Sequence, residues 1–277
     1  MHPFGHPFSQ VDVFGSRPLS GNPVAVVHDA DDLDTEQMQL FAQWTNLSET
    51  TFLLRPTRDE ADYRLRIFTP ARELPFAGHP TLGSCHAWLE AGGTPRGESV
   101  VQECEAGLLT ISRGEHLAFQ APPLLREGPV DEADLHAIAG ILGIAPTDVV
   151  DARWLDNGPG WVGVLLADAA AVLALTPDRS RLGGWDIGVA GLWADGDSDA
   201  AVEVRAFDNL NEDPVTGSLN AGLGQWLAGR VLPEQYVAAQ GTAIGRRGRV
   251  HVRREGNTVW VGGDTRTTVR GEVSVAN

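Results

Sequence analysis

Lysine is absent from this sequence of 277 residues: all 21 basic residues are arginine. The absence excludes every mechanism that forms an imine on the protein's own lysine, pyridoxal-phosphate chemistry and imine-forming aldolases included. It equally excludes the phosphate-binding loop that ends in Gly-Lys-Ser/Thr. Cysteine is scarce, and Cys85 and Cys104 are too few for a disulfide framework, which suits a reducing compartment. No apolar run reaches membrane-spanning length, since the nearest candidate, residues 162–175, is interrupted by Asp168. Positive charge is also short. With 37 acidic residues the formal charge is −16, which argues against a surface built to grip nucleic acid. The arginines at 246, 247, 249, 253 and 254 alternate with Val and His, as on a solvated strand face. The opening Met1-His2-Pro3-Phe4-Gly5-His6-Pro7 lacks the basic segment and apolar core of a signal peptide, so the cytoplasm is expected and no membrane partner.

Metal-ligand and nucleotide patterns are missing too. His2 and His6 are four apart, but Pro3 and Gly5 between them disfavour a helical ligand pair. There is no His-Glu-x-x-His, and His79 and His86 are seven apart. Residues 29–34 hold four acids without the glycine and terminal glutamate of a calcium loop, and read as a solvated turn before a helix. Gly183, Gly184, Gly188 and Gly191 form no dinucleotide fingerprint. No metal and no cofactor are expected.

What the sequence does contain is a repeat. An ungapped shift of 139 residues carries Arg66 onto Arg205, Phe68 onto Phe207, Glu73 onto Glu212, Pro75 onto Pro214, Gly78 onto Gly217 and Gly83 onto Gly222. The same shift carries Asp12 onto Asp151 and Gly21 onto Gly160, and twice the shift is the chain length to within one residue. Shared turn chemistry explains paired Gly and Pro, whereas paired Arg, Glu and Phe need another cause. Residues 63–68 and 202–207 alternate polar with apolar, as half-buried strands do. Each is followed by a Pro-rich acidic loop, a glycine, and a run of small and apolar residues (81–89 and 218–227) that reads as a buried helix without a charged stripe.

Residues 23–27, 50–54, 108–111, 117–119, 162–166, 242–244, 250–252 and 258–261 read as further strands, and 34–44 and 131–142 as surface helices. The expected architecture is α+β: an N-terminal lobe 1–127 and a C-terminal lobe 128–277, each a sheet wrapped around a central helix. A pseudo-twofold relation between the lobes would bring both glycine turns and both buried-helix N-termini to one cleft. Unpaired N–H groups there suit a substrate carboxylate, and His79, Asp213 and Ser218 flank the turns. Glu49 stands where a polar loop enters an apolar strand. Half-burial there would raise its proton affinity towards neutrality, as a general acid/base requires.

The segments Asp12-Val13-Phe14, Ser20-Gly21-Asn22-Pro23, Asn46-Leu47-Ser48-Glu49-Thr50, Glu73-Leu74-Pro75-Phe76-Ala77-Gly78-His79-Pro80 and Asn211-Glu212-Asp213-Pro214-Val215-Thr216-Gly217-Ser218 resemble, in order and spacing, the signature segments of the PhzF family of phenazine biosynthesis. The resemblance implies the pseudo-symmetric two-lobed fold of diaminopimelate epimerase. It implies that Glu49 transfers the proton with His79 and Asp213 beside it, and that Asn22, Gly78, Gly217 and Ser218 line the substrate site. It further implies a cofactor-independent isomerase of a small carboxylic acid of the dihydro-hydroxyanthranilate type, and a homodimer. Two other readings stay open. A two-thiol epimerase of the same fold would carry a cysteine at each glycine turn, and neither turn has one; racemisation by a single carboxylate does not meet that objection. A non-catalytic protein that holds a small acid would carry the same motifs.

Overall fold

The computed structural model describes residues 5–208 and 212–275. His2 of the His2/His6 pair and Asn211 of the Asn-Glu-Asp motif lie outside the described residues. In chain order the elements are β1 (His6–Val13), β2 (Asn22–Val27), α1 (Thr35–Thr45), β3 (Glu49–Leu54), β4 (Tyr63–Phe68), β5 (Glu73–Leu74), α2 (Gly78–Glu90), β6 (Val100–Cys104), β7 (Gly107–Arg113) and β8 (Leu117–Gln120). There follow β9 (Arg126–Pro129), α3 (Glu132–Leu142), β10 (Val149–Asp156), β11 (Trp161–Leu166), α4 (Ala169–Ala174), β12 (Asp186–Leu192), β13 (Val202–Phe207), β14 (Glu212–Asp213), α5 (Gly217–Leu227), β15 (Gln235–Gln240), β16 (Gly248–Glu255), β17 (Thr258–Gly263) and β18 (Thr265–Val273).

The chain divides into two compact units, each with its own sheet. In unit 1 the strand order is β18-β1-β2-β3-β4-β6-β7-β8, with β2·β3 and β4·β6 parallel and the other pairings antiparallel. Unit 2 repeats the plan as β9-β10-β11-β12-β13-β15-β16, with β11·β12 and β13·β15 parallel. The shift of 139 residues superposes β2 on β11, β4 on β13 and β5 on β14 end to end. It also superposes the starts of α2 and α5.

The repeated residues have structural reasons. Arg66 grips Glu73 through two bonds of 2.7 and 2.6 Å, and Arg205 grips Glu212 the same way at 2.8 and 2.7 Å. Each guanidinium also lies over the ring two residues on, Phe68 at 5.0 Å and Phe207 at 4.9 Å. The pair thus clamps the short hairpin β4–β5, or β13–β14, that leads into the central helix. Gly83 and Gly222 allow those helices to lie close. A Cβ on Gly83 would stand 2.4 Å from Val24 Cγ1, and one on Gly222 would stand 2.9 Å from Leu155 Cβ. The central helices are buried along most of their length, in α2 through Ala87. The small residues of α2 and α5 are therefore core positions, as the missing charged stripe requires. Outside the sheets, α1 covers Val27, Phe52 and Phe68, and Val172 of α4 and Ile138 of α3 share a core with β11 and β12.

Some expectations change. The division falls between Gln120 and Ala121 rather than at 127/128, and the chain from Gly262 onward returns to unit 1. The cause is strand pairing: β9 adds to β10, and β18 adds to β1 over its whole length. Residues 242–244 form a 3-10 turn and not a strand, because Gly241 and Gly245 on either side have φ of 88° and 75° and curl the chain. Gly78 and Gly217 are the first residues of their helices, with no positive φ, so neither serves a left-handed turn. The match of Asp12 with Asp151 is not structural. Asp12 braces the following loop through Ser20 N–H and Gly21 N–H at 3.1 and 2.9 Å, whereas in unit 2 Asp156 takes Gly158 N–H and Gly160 N–H. No helix among the described residues is long and apolar enough to cross a membrane.

Candidate active site

In unit 1 three strand and helix starts converge. Asn22 opens β2, Glu49 opens β3 and His79 is the second residue of α2. The loop before Asn22 is tightly specified. Phe14 and Leu19 adopt left-handed backbone with φ of 64° and 65°, and a Cβ on Gly21 would stand 2.1 Å from Val13 O. Glu49 is set by the parallel pairing of β3 with β2, in which it stands beside Val24. Thr51, two residues on, donates to Ala25 O at 3.1 Å and meets Ser84 Oγ of α2 at 2.8 Å, which ties the strand to the helix.

Glu49 Oε2 and His79 Nε2 approach to 3.3 Å, with side chains 15% and 4% exposed. The approach lacks hydrogen-bond alignment. Burial pushes the His79 pKa down to about 3, against an opposing hydrogen bond with the Pro23 backbone, so the imidazole is neutral at physiological pH. The Asn22 side-chain amide lies 3.3 Å from His79 Nδ1. Pro23 offers only its carbonyl, so its hydrogen bond with the ring is donated by a His79 N–H. Unit 1 therefore holds a half-buried carboxylate beside a neutral imidazole.

Helix starts supply the second feature. The outer helices α1, α3 and α4 are each capped by an aspartate, Asp34, Asp131 and Asp168, whose side chain accepts a backbone N–H of the first turn. The central helices α2 and α5 start at Ala77 and Thr216 with no side-chain cap. Thr216 carries a hydroxyl suited to capping but turns it to Asp213 Oδ2 at 2.5 Å. Both buried starts thus present N–H groups and the positive end of the helix dipole, which suits a carboxylate.

In unit 2 Asp213 and Ser218 have separate partners. Asp213 belongs to a turn fixed by Gln240, whose Oε1 accepts Thr216 N–H at 3.0 Å and whose Nε2 donates to Asp213 O at 3.2 Å and Thr216 Oγ1 at 2.9 Å. Ser218 Oγ accepts the Trp161 indole N–H at 2.9 Å, and its carbonyl accepts Asn157 Nδ2 at 2.8 Å. The sequence reading missed Gln240, Trp161 and Asn157. Trp161 stands after Gly160 as Asn22 stands after Gly21, so the repeat carried a signal for it. Gln240, at the end of an apolar strand, gave none.

Cys85 is buried in α2 and its thiol is pushed up to about 12 by burial; Cys104 is also raised, chiefly by burial. Neither supplies a thiolate near neutral pH.

Residues 11–276 match the family described as phenazine biosynthesis-like protein (PhzC-PhzF). The chain is 38% identical over 262 residues to trans-2,3-dihydro-3-hydroxyanthranilate isomerase of Pseudomonas aeruginosa, covering 91% of each chain. It is 38% identical over 293 residues to antisense-enhancing sequence 1 of Schizosaccharomyces pombe, covering 96% of this chain and 98% of that one. The crystal structure of a PhzF-family phenazine biosynthesis protein from Enterococcus faecalis superposes with a TM-score of 0.80 at 28% identity, over 98% of this chain and 99% of that one.

Proposed function

This chain belongs to the phenazine biosynthesis-like (PhzC-PhzF) family and is an isomerase, and from that premise we propose that Glu49 moves a proton between two carbons of a small carboxylic acid bearing amino and hydroxyl groups. The substrate class is that of trans-2,3-dihydro-3-hydroxyanthranilate. The observation that carries the reading is the Glu49 carboxylate 3.3 Å from the buried, neutral His79 at the uncapped start of α2. Glu49 accepts a proton from one ring carbon as the electron pair passes into the conjugated system. It then returns a proton to a second carbon, and the enol so formed becomes a ketone. No electron leaves the substrate, so the balance closes without a redox partner.

Neutral His79, with Asn22 at its Nδ1, lines the site beside Glu49 and contacts the substrate's polar groups. The N–H group of Gly78, at the uncapped start of α2, holds the carboxylate. Gly217, Ser218 and Asp213 are further substrate-binding residues that the family resemblance implies.

The test is incubation with trans-2,3-dihydro-3-hydroxyanthranilate in deuterated water, wild type beside Glu49→Gln, followed by NMR. Conversion with deuterium incorporation by the wild type alone is expected. Equal conversion by both would remove Glu49 from the mechanism. Binding without conversion by either would leave the site and discard the substrate.

A further inference from the structure

Gln240 ends β15 with no solvent exposure and makes four hydrogen bonds, the full capacity of a primary amide. Its Oε1 accepts Thr216 N–H at 3.0 Å and Asn220 Nδ2–H at 2.9 Å, and its Nε2 donates to Asp213 O at 3.2 Å and Thr216 Oγ1 at 2.9 Å. Two of these partners fix which way round the amide lies. The Thr216 backbone N–H can only donate and the Asp213 carbonyl can only accept, so a flipped amide would lose both bonds. With Nε2–H directed at it, Thr216 Oγ1 is an acceptor there and gives its own proton to Asp213 Oδ2 at 2.5 Å. Donation therefore runs one way, from Gln240 through Thr216 to the Asp213 carboxylate, and each bond polarises the next.

Unit 1 separates the structural part of this network from the rest. Gln102 is equally buried on β6, which lies parallel to β4 as β15 lies parallel to β13. Its Nε2 donates to Thr81 Oγ1 at 3.2 Å and its Oε1 accepts the Tyr63 hydroxyl at 2.9 Å. The shift of 139 residues carries Thr81 onto Asn220, so in both units a buried glutamine anchors the central helix at the same position. It carries Leu74 onto Asp213 and Ala77 onto Thr216, so unit 1 has neither the hydroxyl nor the acid. Anchoring the helix needs only the bond that both units share. The branch to Thr216 and Asp213 is an addition, and it ends on an acid that the anchor does not use. It also diverts a hydroxyl that stands at the N-cap of α5 and makes no cap there. An arrangement that forgoes a helix cap calls for a use outside the helix.

We infer that Gln240 is a positioning residue: acting through Thr216, it sets the orientation of the Asp213 carboxylate for binding the substrate's amino group. The inference rests on the substrate-binding role proposed for Asp213. A carboxylate steered by a donated hydroxyl presents itself as an acceptor, which matches a protonated amine on a small acid.

The experiment uses the full-length protein and trans-2,3-dihydro-3-hydroxyanthranilate, with Thr216→Val, Thr216→Ser, Gln240→Glu and Asp213→Asn beside the wild type. Thr216→Val keeps the side chain's shape without the hydroxyl, and should raise KM about tenfold with kcat within about threefold. Thr216→Ser keeps the hydroxyl and should stay within about twofold of the wild-type KM. A role confined to stability would lower the folded fraction and leave KM alone. Gln240→Glu keeps Oε1 and replaces the donor by an acceptor. It should raise KM by a similar factor, and the double variant with Thr216→Val no further, because the two residues act as one chain. The Asp213 carboxyl-carbon NMR resonance, read without substrate, should move in Thr216→Val and Gln240→Glu and stay in place in Thr216→Ser. A KM raised in Asp213→Asn but unmoved in Thr216→Val and Gln240→Glu would overturn the inference. KM unchanged in Asp213→Asn would instead remove the proposed role of Asp213, and the inference with it. If the wild type converts nothing, that substrate is discarded and the carboxyl resonance decides: movement in Gln240→Glu sustains the chain, and no movement overturns it.

Discussion

The two units are the same frame with different chemistry in it. Arg66, Phe68 and Glu73 in unit 1 and Arg205, Phe207 and Glu212 in unit 2 make the same clamp. At three other matched positions the residues diverge. Asn22 answers to Trp161, Glu49 to Gly188 and His79 to Ser218. The last two are matched by strand register and helix position: Glu49 pairs with Val24 as Gly188 pairs with Gly163. The contact between helix and strand survives, since Asn22 meets His79 and Trp161 meets Ser218. The carboxylate does not survive. A side chain at 188 has no space, because a Cβ there would stand 2.2 Å from Leu219 Cδ1. The frame is thus preserved by the clamp and the helix-packing glycines, and the residues proposed for proton transfer stand where the copies differ.

The sharpest break in that comparison is catalytic. Glu49→Gln should lower turnover about a thousandfold, roughly 4 kcal/mol of barrier, with KM little changed. Ser218→Ala in unit 2 should cost about tenfold, expressed mainly in KM; both are read from steady-state kinetics. Next in size is the clamp. Arg205 and Glu212 are 7% and 3% exposed and Arg205 also donates to Val172 O and Leu175 O, while Arg66 and Glu73 are 17% and 28% exposed. Arg205→Met should therefore destabilise by about 3–4 kcal/mol and Arg66→Met by about 1 kcal/mol in urea unfolding. Equal losses would mean that burial does not distinguish the two clamps.

The acids at the loop ends give opposite pH slopes. For Glu203, burial raises the folded-state pKa to about 7 from the usual 4.5, so the unfolded chain releases its proton first as pH rises. Its contribution to stability is present below about pH 4.5 and is lost between there and pH 7, about 2–3 kcal/mol in all. For Glu103, burial alone would raise the pKa, but the bonds from Thr57 and Arg58 outweigh it and lower the pKa. Its contribution is present above the unfolded pKa and is lost as pH falls through the folded one. Glu203→Gln should flatten the stability curve between pH 4.5 and 7, and Glu103→Gln should flatten it on the acid side; a denaturant series against pH separates them. The smallest effect is in packing. Gly83→Ala should cost about 2 kcal/mol and Gly222→Ala about 1 kcal/mol by thermal unfolding, since the first new Cβ meets Val24 at 2.4 Å and the second meets Leu155 at 2.9 Å.

Much of this was legible in the residues. The shift of 139 located the clamp, both central helices and the strands leading into them, because ion pairs and close-packed glycines demand particular residue types. The mismatch of Asp12 with Asp151 shows where that reading fails. A loop-bracing aspartate can move along its strand as the loop changes length, so its position is not fixed by the repeat. The 3-10 turn at 242–244 was invisible because Thr-Ala-Ile reads as a strand, and only the backbone at Gly241 and Gly245 decides otherwise. The half-burial of Glu49 was legible from its place where a polar loop enters an apolar strand, and its role as proton carrier is what the family resemblance implies. The neutral state of His79 beside it was not legible, since burial depends on the closed sheet rather than on neighbours in sequence. The raised pKa of Glu203 gave no signal at all, because a buried acid looks like any other strand glutamate in sequence.

The return of β18 to unit 1 bears on how the protein is made. The outer edge of β1 is covered by β18, so the first strand off the ribosome waits for the last one described, with all of unit 2 synthesised in between. At common elongation rates of about 5–20 residues per second, that interval is on the order of 10–50 s. Throughout it β1 is an open strand edge in a crowded cell, a template for pairing with another nascent chain. The finished enzyme has no early-folding half to protect it, and ribosome-bound chains stalled before Thr265 should be the ones that aggregate.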